Sequence, residues 1–142
     1  MVDEMRICIG SGRERIDFGV FYVESDGEAF PSRDWEDFHL SFITYWIREV
    51  LANEHRERAE FEIAFTEGPY ALRCQKNGTR VVVCGVCEES ETAQSCFSRA
   101  LSYAELKAAL RRAAEEICSN ASRGLPNHDD ELRQLMDLAA AL

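Results

Sequence analysis

The 142-residue chain carries 26 Asp and Glu against 16 Lys and Arg, which gives a formal charge of −10, and 46% of its residues are hydrophobic. This length and apolar content predict a single domain over residues 1–142 and exclude a disordered or fibrous chain. No apolar stretch approaches the ~20 residues needed to cross a bilayer, and the acidic start lacks the pattern of a secretory signal. We therefore expect a cytoplasmic protein whose six cysteines are free thiols.

The negative charge is concentrated near the start of the chain. Residues 1–57 hold 13 acidic and 6 basic residues, and between Glu24 and Asp37 six acids accompany one base, Arg33. Such a field repels phosphate backbones and anionic lipid, and it accelerates encounter with a basic partner. We therefore expect a protein partner, with no direct nucleic-acid or membrane binding.

The first third of the chain predicts a hairpin, a loop and a helix. Apolar residues alternate from Met5 to Ile9 and from Ile16 to Tyr22, which predicts two strands joined across Gly10 and Gly12. Residues 24–32 are rich in turn formers and are predicted to be a loop. From Asp34 the apolar period changes to that of a helix, predicted over 34–54 with Ser32 or Asp34 as its cap.

The middle of the chain predicts antiparallel strands. Residues 61–65 and 70–74 alternate between apolar and polar, and Asn77-Gly78 is typical of a type I′ hairpin turn. A strand starting at Thr79 is apolar on both faces over 81–87, which predicts an interior position in the sheet. The sequence does not decide whether residues 92–98 form a further, shorter strand.

The last third predicts two helices. Ser102-Tyr-Ala-Glu105 matches a capping box, an apolar stripe follows it to Ile117, and Gly124 and Pro126 end the segment. A final helix opens at Asp129. The resulting order, ββ-α-βββ(β)-α-α, predicts an α+β fold in which one antiparallel sheet of 5–6 strands packs against helices.

No motif with catalytic or metal-binding chemistry is complete. Cys84-Gly-Val-Cys87 has the spacing of a zinc or redox pair, but a second ligand pair is missing and its context predicts a strand, so buried thiols are favoured. None of the histidines, His39, His55 and His128, has a nucleophile motif beside it. The Gly10-Ser-Gly12 segment lacks a complete phosphate-loop pattern. We expect no catalytic residue, no cofactor and no metal, and hence not an enzyme.

The acidic segment around Trp35 has two interpretations. It is either a solvated loop with an ordinary first helical turn, or a charged rim around an aromatic anchor of the kind found at interface hot spots. In the second interpretation the partner-binding residues are Glu24, Asp26, Glu28, Asp34, Trp35, Glu36 and Asp37.

The chain also resembles a known class of proteins. The Trp35-x-x-Phe38 helix with Trp46, the Phe65-Thr-Glu-Gly-Pro-Tyr70 segment and the Asn77-Gly78 hairpin resemble small bacterial immunity partners of polymorphic toxins. The resemblance covers roughly residues 30–90. It implies a compact, acidic, cytoplasmic domain that binds one cognate toxin and blocks its active site, and it assigns no binding residue.

Three functional classes follow from these observations. The first is a toxin-neutralising immunity protein, whose acidic segment is steered onto a basic toxin cleft. The second is an acidic secretion chaperone, which predicts a homodimer with an exposed apolar groove for an extended effector segment. A small ligand-binding domain or enzyme is the third, because a site can be assembled from residues distant in sequence.

Overall fold

The computed structural model describes residues 5–10, 17–88, 97–121 and 129–142. It has an α+β architecture with three helices and two antiparallel sheets of four strands each. The strands are β1 (Arg6–Ile9), β2 (Gly19–Ser25), β3 (Glu28–Phe30), β4 (Glu36–Asp37), β5 (Arg58–Ala64), β6 (Tyr70–Asn77), β7 (Arg80–Cys87) and β8 (Phe97–Ser102). The helices are α1 (His39–Ala52), α2 (Tyr103–Ala121) and α3 (Asp129–Ala141). The α+β class is confirmed, whereas the prediction of one sheet is wrong.

The first sheet is built around β2. One edge of β2 pairs with β1, which confirms the predicted hairpin partners, and the other edge pairs first with β3 and then with β4. The predicted loop over 24–32 is therefore wrong. Asp26 and Gly27 have φ values of 54° and 79°, the pattern of a type I′ turn, and this turn returns the chain along β2 as β3.

The helix after this sheet begins later than predicted. Pairing with β2 draws the chain into extended structure up to Asp37, because the Phe21 N–H donates to the Trp35 carbonyl (2.8 Å) and Val20 pairs with Glu36. The helix α1 begins at His39 with Phe38 as its N-cap, and no side chain caps it. The predicted caps, Ser32 and Asp34, hydrogen-bond to each other instead.

The second sheet has the order β5-β6-β7-β8, so β7 is an interior strand, as predicted. Asn77 pairs with Arg80, which makes Gly78 and Thr79 the two turn residues. Gly78 has a φ of 64° and Thr79 has no positive φ, so this hairpin has the pattern of a type II′ turn and the type I′ prediction is wrong. Of residues 92–98, for which the sequence did not decide on a strand, Phe97 and Ser98 belong to β8. Residues 92–96 lie outside the described residues.

The predicted capping box at the start of α2 is confirmed. The Ser102 hydroxyl accepts from the Glu105 N–H (3.0 Å), and the Glu105 carboxylate accepts from the Ser102 N–H (3.1 Å). The predicted terminators Gly124 and Pro126 lie outside the described residues. The helix α3 begins at Asp129, as expected. No helix in the described ranges is both long and apolar enough to cross a membrane.

One apolar core joins both sheets and the three helices. Its fully buried side chains include Phe21 from β2, Trp46 from α1, Phe97 from β8 and Leu135 from α3. The sheets meet where the Phe30 ring covers Gly85 of β7, because a Cβ on Gly85 would lie 2.5 Å from that ring. This contact requires a residue without a side chain at position 85.

We predict that Gly85→Ala destabilises the protein by roughly 2 kcal/mol through overpacking against Phe30. In a Phe30→Ala background, which itself costs about 3 kcal/mol, the added methyl should cost little because the ring is gone. Urea denaturation of the wild type, of the two single variants and of the double variant measures the cost of Gly85→Ala in each background. An equal cost of Gly85→Ala in the two backgrounds would show that Phe30 does not limit position 85.

Candidate functional site

Asp37 is a structural residue rather than a surface charge. Its side chain is fully buried, and its two carboxylate oxygens accept four hydrogen bonds. The donors are the backbone N–H groups of Phe38, Thr66 and Glu67, at 2.7, 3.2 and 3.2 Å, and the indole Nε1 of Trp35 at 3.0 Å. The predicted role of Asp37 in direct partner contact is therefore wrong, because a partner cannot reach this carboxylate.

Trp35 is held in one orientation on the surface. Its indole donates to Asp37, its ring lies edge-on to Tyr70 with centroids 5.2 Å apart at 89°, and its partly buried side chain packs on the core. A Cβ on Gly68 would lie 2.6 Å from this ring, so the turn after β5 approaches Trp35 closely. Trp35 belongs to the segment before α1, not to the first turn of that helix.

Two predicted binding acids are already paired with arginines. Glu24 accepts from Arg33 (2.9 Å) and Arg6 (3.3 Å), and only 15% of its side chain is exposed. Asp26 lies 3.4 Å from the Arg99 guanidinium, which also donates to the Ser25 hydroxyl and carbonyl. These pairs tie β2 to its neighbours, so neither acid is an unpaired charge for a partner.

Four exposed acids come from three parts of the chain that meet near Trp35. Asp34 and Glu36 flank it in sequence, while Glu67 lies in the turn that also holds Gly68, and Glu88 is placed by a hydrogen bond from its N–H to the Pro69 carbonyl (2.6 Å). Among the described residues none of these four acids has an ion-pair partner. We call this set the Trp35 surface: Asp34, Trp35, Glu36, Glu67, Tyr70 and Glu88.

Sequence reasoning missed Glu67, Tyr70 and Glu88. Glu67 lies in the turn after β5, Tyr70 begins β6 and Glu88 follows β7. Hydrogen bonds from the Thr66 and Glu67 N–H groups to Asp37 and ring contacts of Phe65 and Tyr70 bring this region beside Trp35. The sequence signal for this contact was the Thr66-Glu-Gly-Pro69 turn, because Gly68 has no side chain and an aromatic ring such as that of Trp35 can pack against it. Glu28, the remaining predicted acid, is exposed on β3.

The cysteine pair has no shared site. Cys84 lies 3.4 Å from the Ser98 hydroxyl and pairs with Arg73, whereas Cys87 pairs with Tyr70, so the two thiols are on opposite faces of β7. Within the described ranges no cluster of three His, Cys, Asp or Glu side chains could hold a metal. Burial raises the pKa of the Cys74 thiol to about 12, which keeps it protonated.

His39 is buried at the start of α1. It is 3% exposed, and its Nδ1 has no hydrogen-bond partner within the described part of the chain. Burial lowers its pKa from 6.5 to about 4, an effect opposed by the carboxylates of Asp17 and Asp37. His39 is therefore one of the buried residues of α1.

An apolar groove lies between α2 and α3, with a volume of about 530 Å³. Its lining includes Ala114, Cys118, Met136 and Ala139, with Arg111 and Glu115 at its rim. Met136 is 58% exposed there, which is unusual for a large apolar side chain in this protein. His39 does not line this groove.

Comparison of the chain with protein-family models, with curated proteins and with solved structures gave no match. The Trp35 surface and the α2–α3 groove are therefore the two features of this chain that bear on its function.

We predict that Asp37→Ala destabilises the protein by roughly 3 kcal/mol, because four donors lose their acceptor. Asp37→Asn keeps one acceptor oxygen and should cost less. Urea denaturation gives the free energy of unfolding for both variants. A cost below about 1 kcal/mol for the alanine variant would contradict the structural role.

We predict a pH-dependent stability from His39. Because its pKa is lower in the folded state, the unfolded chain binds the proton first, so stability present above pH 6.5 is lost as the pH falls toward 4. The loss should be about 3 kcal/mol. The free energy of unfolding of the wild type and of His39→Leu, measured between pH 4 and 6.5, isolates this contribution. A stability that falls equally with pH in both proteins would contradict the prediction.

Proposed function

We propose that the chain is an immunity protein that binds a basic toxin domain through the Trp35 surface and thereby covers the active site of the toxin. The observation that carries this proposal is a fixed aromatic pair, Trp35 and Tyr70, on chain segments that also carry or adjoin four exposed acids without ion-pair partners among the described residues. An aromatic anchor with a polar rim is the usual composition of an energetic centre in a protein interface.

The anchor is organised before any partner arrives. The bond to Asp37 and the close approach of Gly68 hold the Trp35 ring, so binding does not have to immobilise it. Ordering a mobile side chain at an interface costs about 0.5–1.5 kcal/mol, and a fixed ring avoids most of that cost. Such a surface suits a folded partner with its own fixed cleft.

The charge of the rim favours a basic partner. Asp34, Glu36, Glu67 and Glu88 account for four of the 26 acidic residues of a chain whose formal charge is −10. Such a field speeds diffusional encounter with a cationic surface and makes that encounter sensitive to salt. A toxin that acts on nucleic acid or nucleotides would present such a cationic cleft.

The test begins with the tagged protein expressed in its native host and with identification of what co-purifies at a one-to-one ratio. We expect a basic, folded domain whose activity is blocked in the complex. Reversal of three rim charges, Asp34→Lys/Glu36→Lys/Glu67→Lys, should weaken this complex by roughly a hundredfold and flatten its salt dependence.

A matched control keeps the change in net charge but moves it to the helices. Glu115, Asp130 and Asp137 are exposed on α2 and α3, and their reversal to Lys should leave affinity within a factor of about three. Equal losses in the two triple variants, or no loss in either, would remove the Trp35 surface as the binding site.

The second candidate is a secretion chaperone for an effector protein, and the apolar α2–α3 groove favours it. A chaperone of this kind would be a homodimer and would hold an extended segment in such a groove. Sedimentation of the purified protein separates the candidates, since the immunity protein is expected to be a monomer that binds a folded domain. If the protein is such a chaperone, Met136→Glu should weaken binding of the effector segment, because Met136 lines the groove.

A further inference from the structure

Two arginines of the second sheet flank one asparagine on its outer face. Arg58 of β5 lies directly opposite Asn77 of β6, and Asn77 lies directly opposite Arg80 of β7. Side chains of directly opposite residues project from the same face of a sheet. All three residues are exposed, whereas Lys76 and Val81, beside them in the chain, are buried on the other face. We call Arg58, Asn77 and Arg80 the arginine row.

The strand spacing allows both guanidinium groups to reach one ligand above Asn77. The Gly78 N–H donates to the Glu57 carbonyl (2.7 Å), so the next pair in register, Arg58 with Asn77, has no mutual hydrogen bonds. Opposing side chains are closer in pairs of this kind. Neighbouring strands lie about 4.8 Å apart, which separates the Cβ atoms of Arg58 and Arg80 by roughly 10 Å. Two arginine side chains span that separation over the short amide between them.

The two arginines of the row carry charges that no acid of the described chain neutralises. Within the described ranges the side chains of Arg58 and Arg80 make no hydrogen bond or ion pair. The acids on the same face of the sheet, Glu60 and Glu62, are both paired with Arg73, at 3.8 and 3.2 Å. The strand residues of this face therefore include three arginines and two glutamates, and the arginine row itself holds two cations and no acid.

Two further acids lie near the ends of the row. One carboxylate oxygen of Glu57 is 3.6 Å from the place that a Cβ on Gly78 would occupy, so Glu57 lies over the β6–β7 turn. The Glu105 carboxylate accepts from the Ser102 N–H (3.1 Å) in the capping box of α2. Neither acid is ion-paired with an arginine of the row within the described ranges, so both guanidinium groups are available to a ligand.

We infer that the arginine row binds a doubly charged phosphate group, as the free ion or as a small ester. Two guanidinium groups match its two negative charges, and their planar forks form paired hydrogen bonds with phosphate oxygens. The Asn77 amide adds a neutral donor between them. A carboxylate has one charge and would leave one arginine unpaired. Because the site is exposed and the chain has a formal charge of −10, we expect a dissociation constant of about a millimolar.

This inference does not depend on the Trp35 surface, and methyl phosphate tests it on the full-length protein. At about pH 7.5 a phosphate ester carries close to two charges. Titration at constant ionic strength, followed by NMR of the arginine Nε–H and asparagine amide groups, should give saturable shifts at Arg58, Asn77 and Arg80. Inorganic phosphate should saturate the same shifts. Acetate, with its single charge, should bind at least about fivefold more weakly.

Two double variants show whether binding belongs to the row or to net charge. Arg58→Gln/Arg80→Gln should weaken methyl phosphate binding at least about tenfold. The matched control, Arg112→Gln/Arg133→Gln, changes the net charge equally at exposed positions of α2 and α3 and should leave binding within about a factor of two. Equal losses in the two double variants would overturn the inference.

Asn77→Asp tests whether both arginines converge on position 77. The new carboxylate lies directly opposite each of them and takes the place of the ligand, so methyl phosphate binding should be lost. The urea midpoint should rise at the same time, because cross-strand pairs of opposite charge are stabilising. Binding that survives Asn77→Asp unchanged, or shifts that grow linearly with methyl phosphate concentration in the wild type, would contradict a site at this row.

Discussion

The buried carboxylate of Asp37 is the interaction on which the arrangement of this surface depends. It lies at the end of β4, one residue before the start of α1. It accepts hydrogen bonds from the N–H of Phe38, next to it in the chain, and from the N–H groups of Thr66 and Glu67 in the turn after β5. One group thus sets the start of the helix, the position of the turn after β5 and the orientation of Trp35. A buried carboxylate is tolerated only when its oxygens are hydrogen-bonded, and four donors meet that requirement here.

The same carboxylate satisfies one backbone donor at the start of α1. Phe38 is the N-cap residue and has no side-chain oxygen, but its own N–H is bonded to Asp37. An acid immediately before the helix also lies near the positive end of the helix dipole. The expected caps, Ser32 and Asp34, lie too far before α1 to serve it, because residues up to Asp37 pair with β2.

Local signals predicted the local structure well. Alternation gave the correct partners β1 and β2, the strands β5, β6 and β7 of the second sheet and the interior place of β7, and Ser102 with Glu105 formed the predicted capping box. What failed depended on contacts distant in sequence. Trp35 and Phe38 have helical spacing, yet pairing of β2 with Glu36 and Asp37 keeps this segment extended.

The candidate site was predicted only in part, for the same reason. Asp34, Trp35 and Glu36 remain on the surface, because they are exposed or half-buried beside one another in sequence. Burial of Asp37 and pairing of Glu24 with Arg6 depend on tertiary contacts that no local pattern encodes. Glu67 and Tyr70 are brought in by the hydrogen bonds of Asp37, so their membership could not be deduced before that buried acid was located.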